Sequence, residues 1–134
     1  MKTIVCALAL SLSLGLAQAR SAEPLIEPSR VVLVSGPDRS LDQIKQAIVR
    51  GGARHNWTVA KDESGQLTLK YNKQNKHEVV VDVSYDLSGF QIRYVSSVNM
   101  KHDSAKGEIH PFYNKWVANL SQAISTEINQ LPLK

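Results

Sequence analysis

A change of hydrophobic period along the chain predicts an α+β fold. Helix-spaced apolar residues begin near Leu41, strict alternation runs from Trp57 to Ser96, and helix spacing returns from Pro111 to Leu131. The implied order is β-α-β-β-β-β-α: an antiparallel meander of about four strands, a further strand at its N-terminal side, and two helices packed on one face. The domain is expected over residues 31–134, behind a signal peptide at 1–19 and an extended leader at 20–30.

The first segment reads as one that directs the chain out of the cytoplasm. After Lys2, the mostly apolar run Ile4 to Leu16 leads into Ala17-Gln18-Ala19, whose small first and third residues suit a signal-peptidase pocket. We read a secretory signal cleaved after Ala19, hence an exported protein, periplasmic or secreted. A run of 13 residues is short of the roughly 20 that span a bilayer, and no second such run follows. Cys6, the only cysteine, lies inside the signal, so the chain from Arg20 can form no disulfide, and no cysteine follows the apolar run to accept a lipid. The remaining 115 residues suffice for one core held by packing. Their formal charge, +3 once Lys2 is gone, permits attraction to anionic surfaces without demanding it.

In the leader, Pro24 and Pro28 interrupt a stretch with little periodicity. Val31 to Ser35 is a β-branched run stopped by Gly36-Pro37. Ser40 opens the first helix as N-cap, Gln43 completes a capping box, and Leu41, Ile44, Ala47 and Ile48 share a face. Gly51-Gly52 is expected to end that helix, with Arg50 complementing the dipole of its last turn. In the meander, Trp57 and Val59, then Leu67, Leu69 and Tyr71, then Val79, Val81, Val83 and Tyr85, then Phe90, Ile92 and Tyr94 point inward. Turns are expected at 62–65, 72–76 and 86–89. Residues 97–108 read as a loop. Pro111 suits the first turn of the second helix, whose apolar face runs through Tyr113, Trp116, Val117, Leu120, Ile124, Ile128 and Leu131 up to Pro132.

Several of these segments resemble a widespread family of small uncharacterised bacterial envelope proteins, many described only as lipoproteins. The resemblance is carried by Gln43 to Ile48, Trp57-Thr58-Val59, His77 with Val79 to Tyr85, Ile92-Arg93-Tyr94 and Ser97-Val98-Asn99-Met100. Above all it is carried by Ile109-His110-Pro111-Phe112-Tyr113-Asn114-Lys115-Trp116-Val117. It covers about residues 40 to 128 and implies an envelope location and the same α+β domain, but no activity. This chain departs from the pattern in lacking the lipid-acceptor cysteine and in a longer, lysine-bearing turn before His77.

Two constellations are candidates for function. Tyr94, Asn99, His110, Tyr113, Asn114 and Asn119, with Trp116, bring amides, rings and an imidazole together in sequence, as a carbohydrate or peptide cleft does. The competing reading is structural: Tyr113 and Trp116 in the core, His110 as a helix cap, Asn99 and Asn114 satisfying loop backbone. The second constellation arises because successive strands reverse. Arg50, Arg54, Lys70, Lys73, Lys76, Lys101 and Lys106 then collect at one end of the sheet, with His55, His77 and His102 among them. Asp62, Glu63 and Asp86 fall at the other end, with Asp38 and Asp42 near the start of the first helix. A basic end suits anionic envelope polymers or lipid headgroups, although lysines also serve solubility at turns and strand edges.

Other chemistries have little support. His77, His102, Asp103 and His110 lack helical metal-ligand spacing, no Gly-x-Ser-x-Gly or phosphate-cradling loop is present, and the outward strand residues offer no aromatic platform for nucleic acid. The expectation is therefore a non-enzymatic, cofactor-free envelope module that binds a protein or an anionic envelope polymer. The alternatives are a small ligand-binding protein or enzyme centred on His110, Tyr113 and Asn114, and an inhibitor of a secreted hydrolase.

Overall fold

The computed structural model describes residues 21–34 and 39–132; the expected signal peptide, the expected stop at Gly36-Pro37 and Asp38 lie outside the described residues. Along the chain come β1 (Glu23–Pro24), β2 (Val31–Val32), α1 (Leu41–Ala53), β3 (Thr58–Glu63), β4 (Gln66–Lys73), β5 (His77–Asp86), β6 (Gly89–Val98), β7 (Glu108–Ile109) and α2 (Pro111–Asn129). The expected α+β class holds. An antiparallel sheet runs in the order β2-β6-β5-β4-β3, so β3 to β6 form the meander and β2 adds to its far side.

Alternation decides which side of the sheet is buried. Leu67 faces Val83 and Val83 faces Ile92 across the strands, and Leu69 faces Val81, so these residues make one apolar row. That row is buried with Ile44, Ala47 and Ile48 of α1 and Tyr113, Val117, Leu120, Ile124 and Ile128 of α2. The other face carries Thr68, Asp82 and Arg93, with a Thr68 hydroxyl to Asp82 hydrogen bond of 2.6 Å. β3 departs from the pattern: a bulge between Val59 and Lys61 shifts its register, and all six of its residues are exposed.

Four sequence expectations are corrected. The leader is docked: β1 pairs with β7, the Leu25 N–H donates to the Gly107 carbonyl at 2.8 Å, and Arg30 pairs with Asp86 at 2.7 Å. The stretch 97–108 is partly ordered as strand, because β6 continues to Val98 and Asp103 bridges to Glu108 before β7. Asp62 and Glu63 belong to β3, leaving Ser64-Gly65 as the turn, with Gly65 at φ 74°.

The fourth correction concerns the glycine pair. α1 runs through Gly51 and Gly52 to Ala53, and the left-handed residue that follows is Asn56 at φ 63°. Gly51 is needed for a different reason: a Cβ there would lie 2.8 Å from both the Cα and N of Ile124, so it marks where α1 and α2 touch backbone to backbone. The capping box at the other end forms as expected, Ser40 accepting from the Gln43 N–H at 3.1 Å and Gln43 from the Ser40 N–H at 2.9 Å.

Candidate functional site

Hairpin register brings two rings together at one end of the sheet. Thr58 pairs with Lys70, so Trp57 and Tyr71 sit one step further out and meet with centroids 5.5 Å apart. Trp57 is drawn under the end of α1 because its N–H donates to the Gly52 carbonyl at 2.9 Å, the chain turning back through left-handed Asn56. From α2, Trp116 meets Tyr71 edge-on at 4.9 Å. With Arg54, His55, Asn56 and Asn119 these rings line a cleft of about 250 Å³. A second hollow of about 230 Å³ shares Arg54, His55 and Asn119 and continues along α2 to Gln122 and Thr126.

Charge at this end is partly offset. Glu127 accepts from Arg50 Nε at 3.1 Å and from Arg54 at 2.7 Å. The Arg50 hydrogen bond foremost, then the charge of Arg54, holds its carboxyl below the usual carboxylate range. Lys70 pairs with Glu78 at 2.7 Å. Lys73 Nζ lies over the rings of Phe112, 5.1 Å from the centroid, and Trp116, at 5.8 Å. Among the described residues neither Lys73 nor Lys76 has an ion-pair partner. Lys101 follows β6, and Lys106 lies in the turn where Asp103 accepts backbone N–H groups.

The acidic end is more fully paired. Lys45 meets Asp62 at 2.5 Å, Lys61 meets Glu63 at 2.9 Å, and Arg30 meets Asp86. Ser88, through its hydroxyl and its N–H, then Arg30, lowers the Asp86 carboxyl to about 2.

The residues grouped by sequence proximity scatter in space. Tyr113 is fully buried in the core, its phenol pushed up by desolvation, with no hydrogen-bond partner for its hydroxyl among the described residues. His110 is the N-cap of α2, its Nδ1 accepting from the Phe112 N–H at 3.1 Å. Asn114 clasps the leader, donating to Glu23 at 3.0 Å and to the Pro24 carbonyl at 2.9 Å while accepting from the Ile26 N–H at 2.9 Å. Asn99 stitches two loops: it donates to the Lys76 carbonyl at 3.1 Å, and its own carbonyl lies 2.8 Å from His77 Nδ1. Tyr94 bonds Ser97 at 2.8 Å and stacks on His102 at 4.4 Å.

Of that set only Asn119 reaches the cleft, joined there by Trp116. Asn114 lines a separate hollow with Ile26 and Pro28, since five residues along a helix amount to about 140° around it. Arg54 and Trp57, from the connection after α1, and Tyr71, from the strand paired with β3, meet these α2 residues from far along the chain. The signal for the two rings was the hairpin register, which sets Trp57 beside Tyr71.

Neither a scan against protein-family models nor a comparison with curated proteins finds a match to this chain. Among the described residues, no group of three or more His, Cys, Asp or Glu side chains converges as a metal site, and no helix is long and apolar enough to cross a membrane.

Proposed function

We propose that this protein is an exported, non-enzymatic module of the bacterial cell envelope that binds an anionic envelope polymer through the basic end of its sheet. Export is read from residues 1–19, and the envelope setting also from the motif resemblance around Ile109 to Val117. The observation that carries the binding reading is the uneven compensation of charge. Asp62, Glu63 and Asp86 each meet a cation, whereas Lys73, over the Trp116 ring that lines the Arg54-bearing cleft, and Lys76, in the turn that follows, have no carboxylate partner among the described residues.

Tight turns shape the same end. Among the described residues five non-glycine residues hold positive φ: Asn56, Gln74, Asn75, Asn99 and Lys101. All five lie in the connections around this end, after α1, between β4 and β5, and after β6. Gln74 and Asn75 are the two central residues of the β4–β5 hairpin turn, where such backbone matches the twist of the strands, and asparagine tolerates it, so these residues shape the turns of this end at little cost.

The test is a salt titration of binding to inorganic polyphosphate and to vesicles with anionic headgroups. Purified protein is expected to bind at low salt and to release as salt screens the contact, and a variant with Lys73, Lys76, Lys101 and Lys106 changed to glutamine is expected to bind much more weakly. Salt-independent binding, or full binding by the glutamine variant, would count against the reading. Export is checked separately: the mass of the protein recovered outside the cytoplasm should match a chain beginning at Arg20.

A further inference from the structure

We infer that the groove between the end of α1 and α2 is a glycan subsite, where Tyr71 and Trp116 hold a sugar ring and the stretch from Asn119 to Thr126 follows the next units of an acidic polysaccharide. The inference rests on the reading of the protein as a binder of an anionic envelope polymer, and it names the polymer's chemistry.

The aromatic end is fixed yet reachable. Trp57 is only 4% exposed and backs Tyr71, while Tyr71 and Trp116 are half-buried, so their positions are set by packing and part of their ring surface still faces the cleft. A pyranose presents a face of C–H groups that packs on such rings, with hydroxyls directed outward. The space of about 250 Å³ lies below the roughly 300–1,000 Å³ typical of pockets for larger ligands, and suits one ring.

The polar lining matches the rest of a sugar. Asn56, Asn119 and Gln122 carry amides, each offering a donor and an acceptor in one group, and a hydroxyl needs both. Arg54 stands where the two hollows join. Glu127 engages it at 2.7 Å and fixes its position, while a guanidinium has five N–H donors and so keeps others for a carboxylate on the ligand. From Trp116 to Thr126 the helix rises about 15 Å, the reach of several sugar units rather than one. A flat lipid surface would meet the lysines but could not enter the cleft.

Trp57 and Trp116 are the only two tryptophans in the chain and both line the cleft, so intrinsic fluorescence reports on it directly. Purified protein is titrated with tetragalacturonate, with neutral maltotetraose and with inorganic polyphosphate. Tetragalacturonate is expected to shift the emission saturably and to bind about tenfold more tightly than maltotetraose. Asn119→Ala is expected to weaken tetragalacturonate about tenfold while leaving polyphosphate unchanged. Trp116→Leu, checked for an intact melting transition, is expected to have the same selective effect by calorimetry. Should polyphosphate bind while tetragalacturonate fails to bind, or binds equally well to Asn119→Ala, the glycan subsite is overturned and the basic-end reading survives. Failure of both anions to bind ends both.

Discussion

Gly51→Ala tests the contact that sets the width of the groove. Taken as an isolated helix position, the change should stabilise, because alanine is favoured over glycine inside a helix by about 1 kcal/mol. The structure reverses the sign. The new Cβ would lie 2.8 Å from Ile124 Cα and N, whereas carbon atoms in good contact sit near 3.5–4.0 Å, and backbone cannot swing aside as a side-chain tip can. The helices must part by roughly 1 Å, and overpacking of this kind costs about 1–3 kcal/mol. Set against the propensity gain, the net destabilisation is up to about 2 kcal/mol, or a melting temperature lower by up to several degrees in a domain of this size. The parting also disturbs Arg50 and Arg54, whose shared Glu127 lies one turn beyond Ile124. Urea unfolding followed by circular dichroism gives the number. A Gly51→Ala protein more stable than wild type would refute the close approach, and with it the account of why glycines stand inside α1.

Three further outcomes follow from the geometry. His110→Ala removes the acceptor for the Phe112 N–H and should cost about 1 kcal/mol of stability, with His110→Asn restoring most of it in thermal melts. Asn114→Ala removes three hydrogen bonds that hold the leader and should expose the backbone near Ile26 to limited proteolysis at a rate several-fold above wild type, while the melting temperature falls only modestly. In acid, Asp86 has a folded pKa of about 2 against 3.8 for the free side chain, so the stability it contributes is complete above the higher value and is lost as pH falls through the lower one. Melting temperatures measured from neutral pH down to about pH 2 should decline less steeply for Asp86→Asn than for wild type, and identical slopes would exclude this carboxyl as a source of acid sensitivity.

The legible parts of the chain were those governed by near neighbours. Ser40 and Gln43 specify the start of α1 because a capping box closes over three residues, and the alternation through Val79, Val81 and Val83 specifies a buried face because successive side chains on a strand must point oppositely. Pro111 correctly marks the first turn of α2. The misreadings share one cause. Gly51-Gly52 looks like a helix end until Ile124 arrives, Pro24 looks like unpaired leader until β7 offers a partner, and Val59 looks inward until the bulge before Lys61 shifts the register.

The candidate site divides in the same way. Asn119 and Trp116 were visible as an amide and a ring near each other on one helix, yet Asn114, equally near, turns to the opposite hollow and clasps the leader.

Sequence alone determined the two helices, the four-strand meander between them and their order, because periodicity, capping and strand reversal act between residues close along the chain. Tertiary structure alone decided that Trp57, Tyr71, Trp116 and Arg54 share one cleft, and that the two helices touch at Gly51. Trp116 and Ile124 of α2 lie tens of residues from the segments they meet there, at positions set by how two helices cross a twisted sheet, and no local pattern encodes that angle.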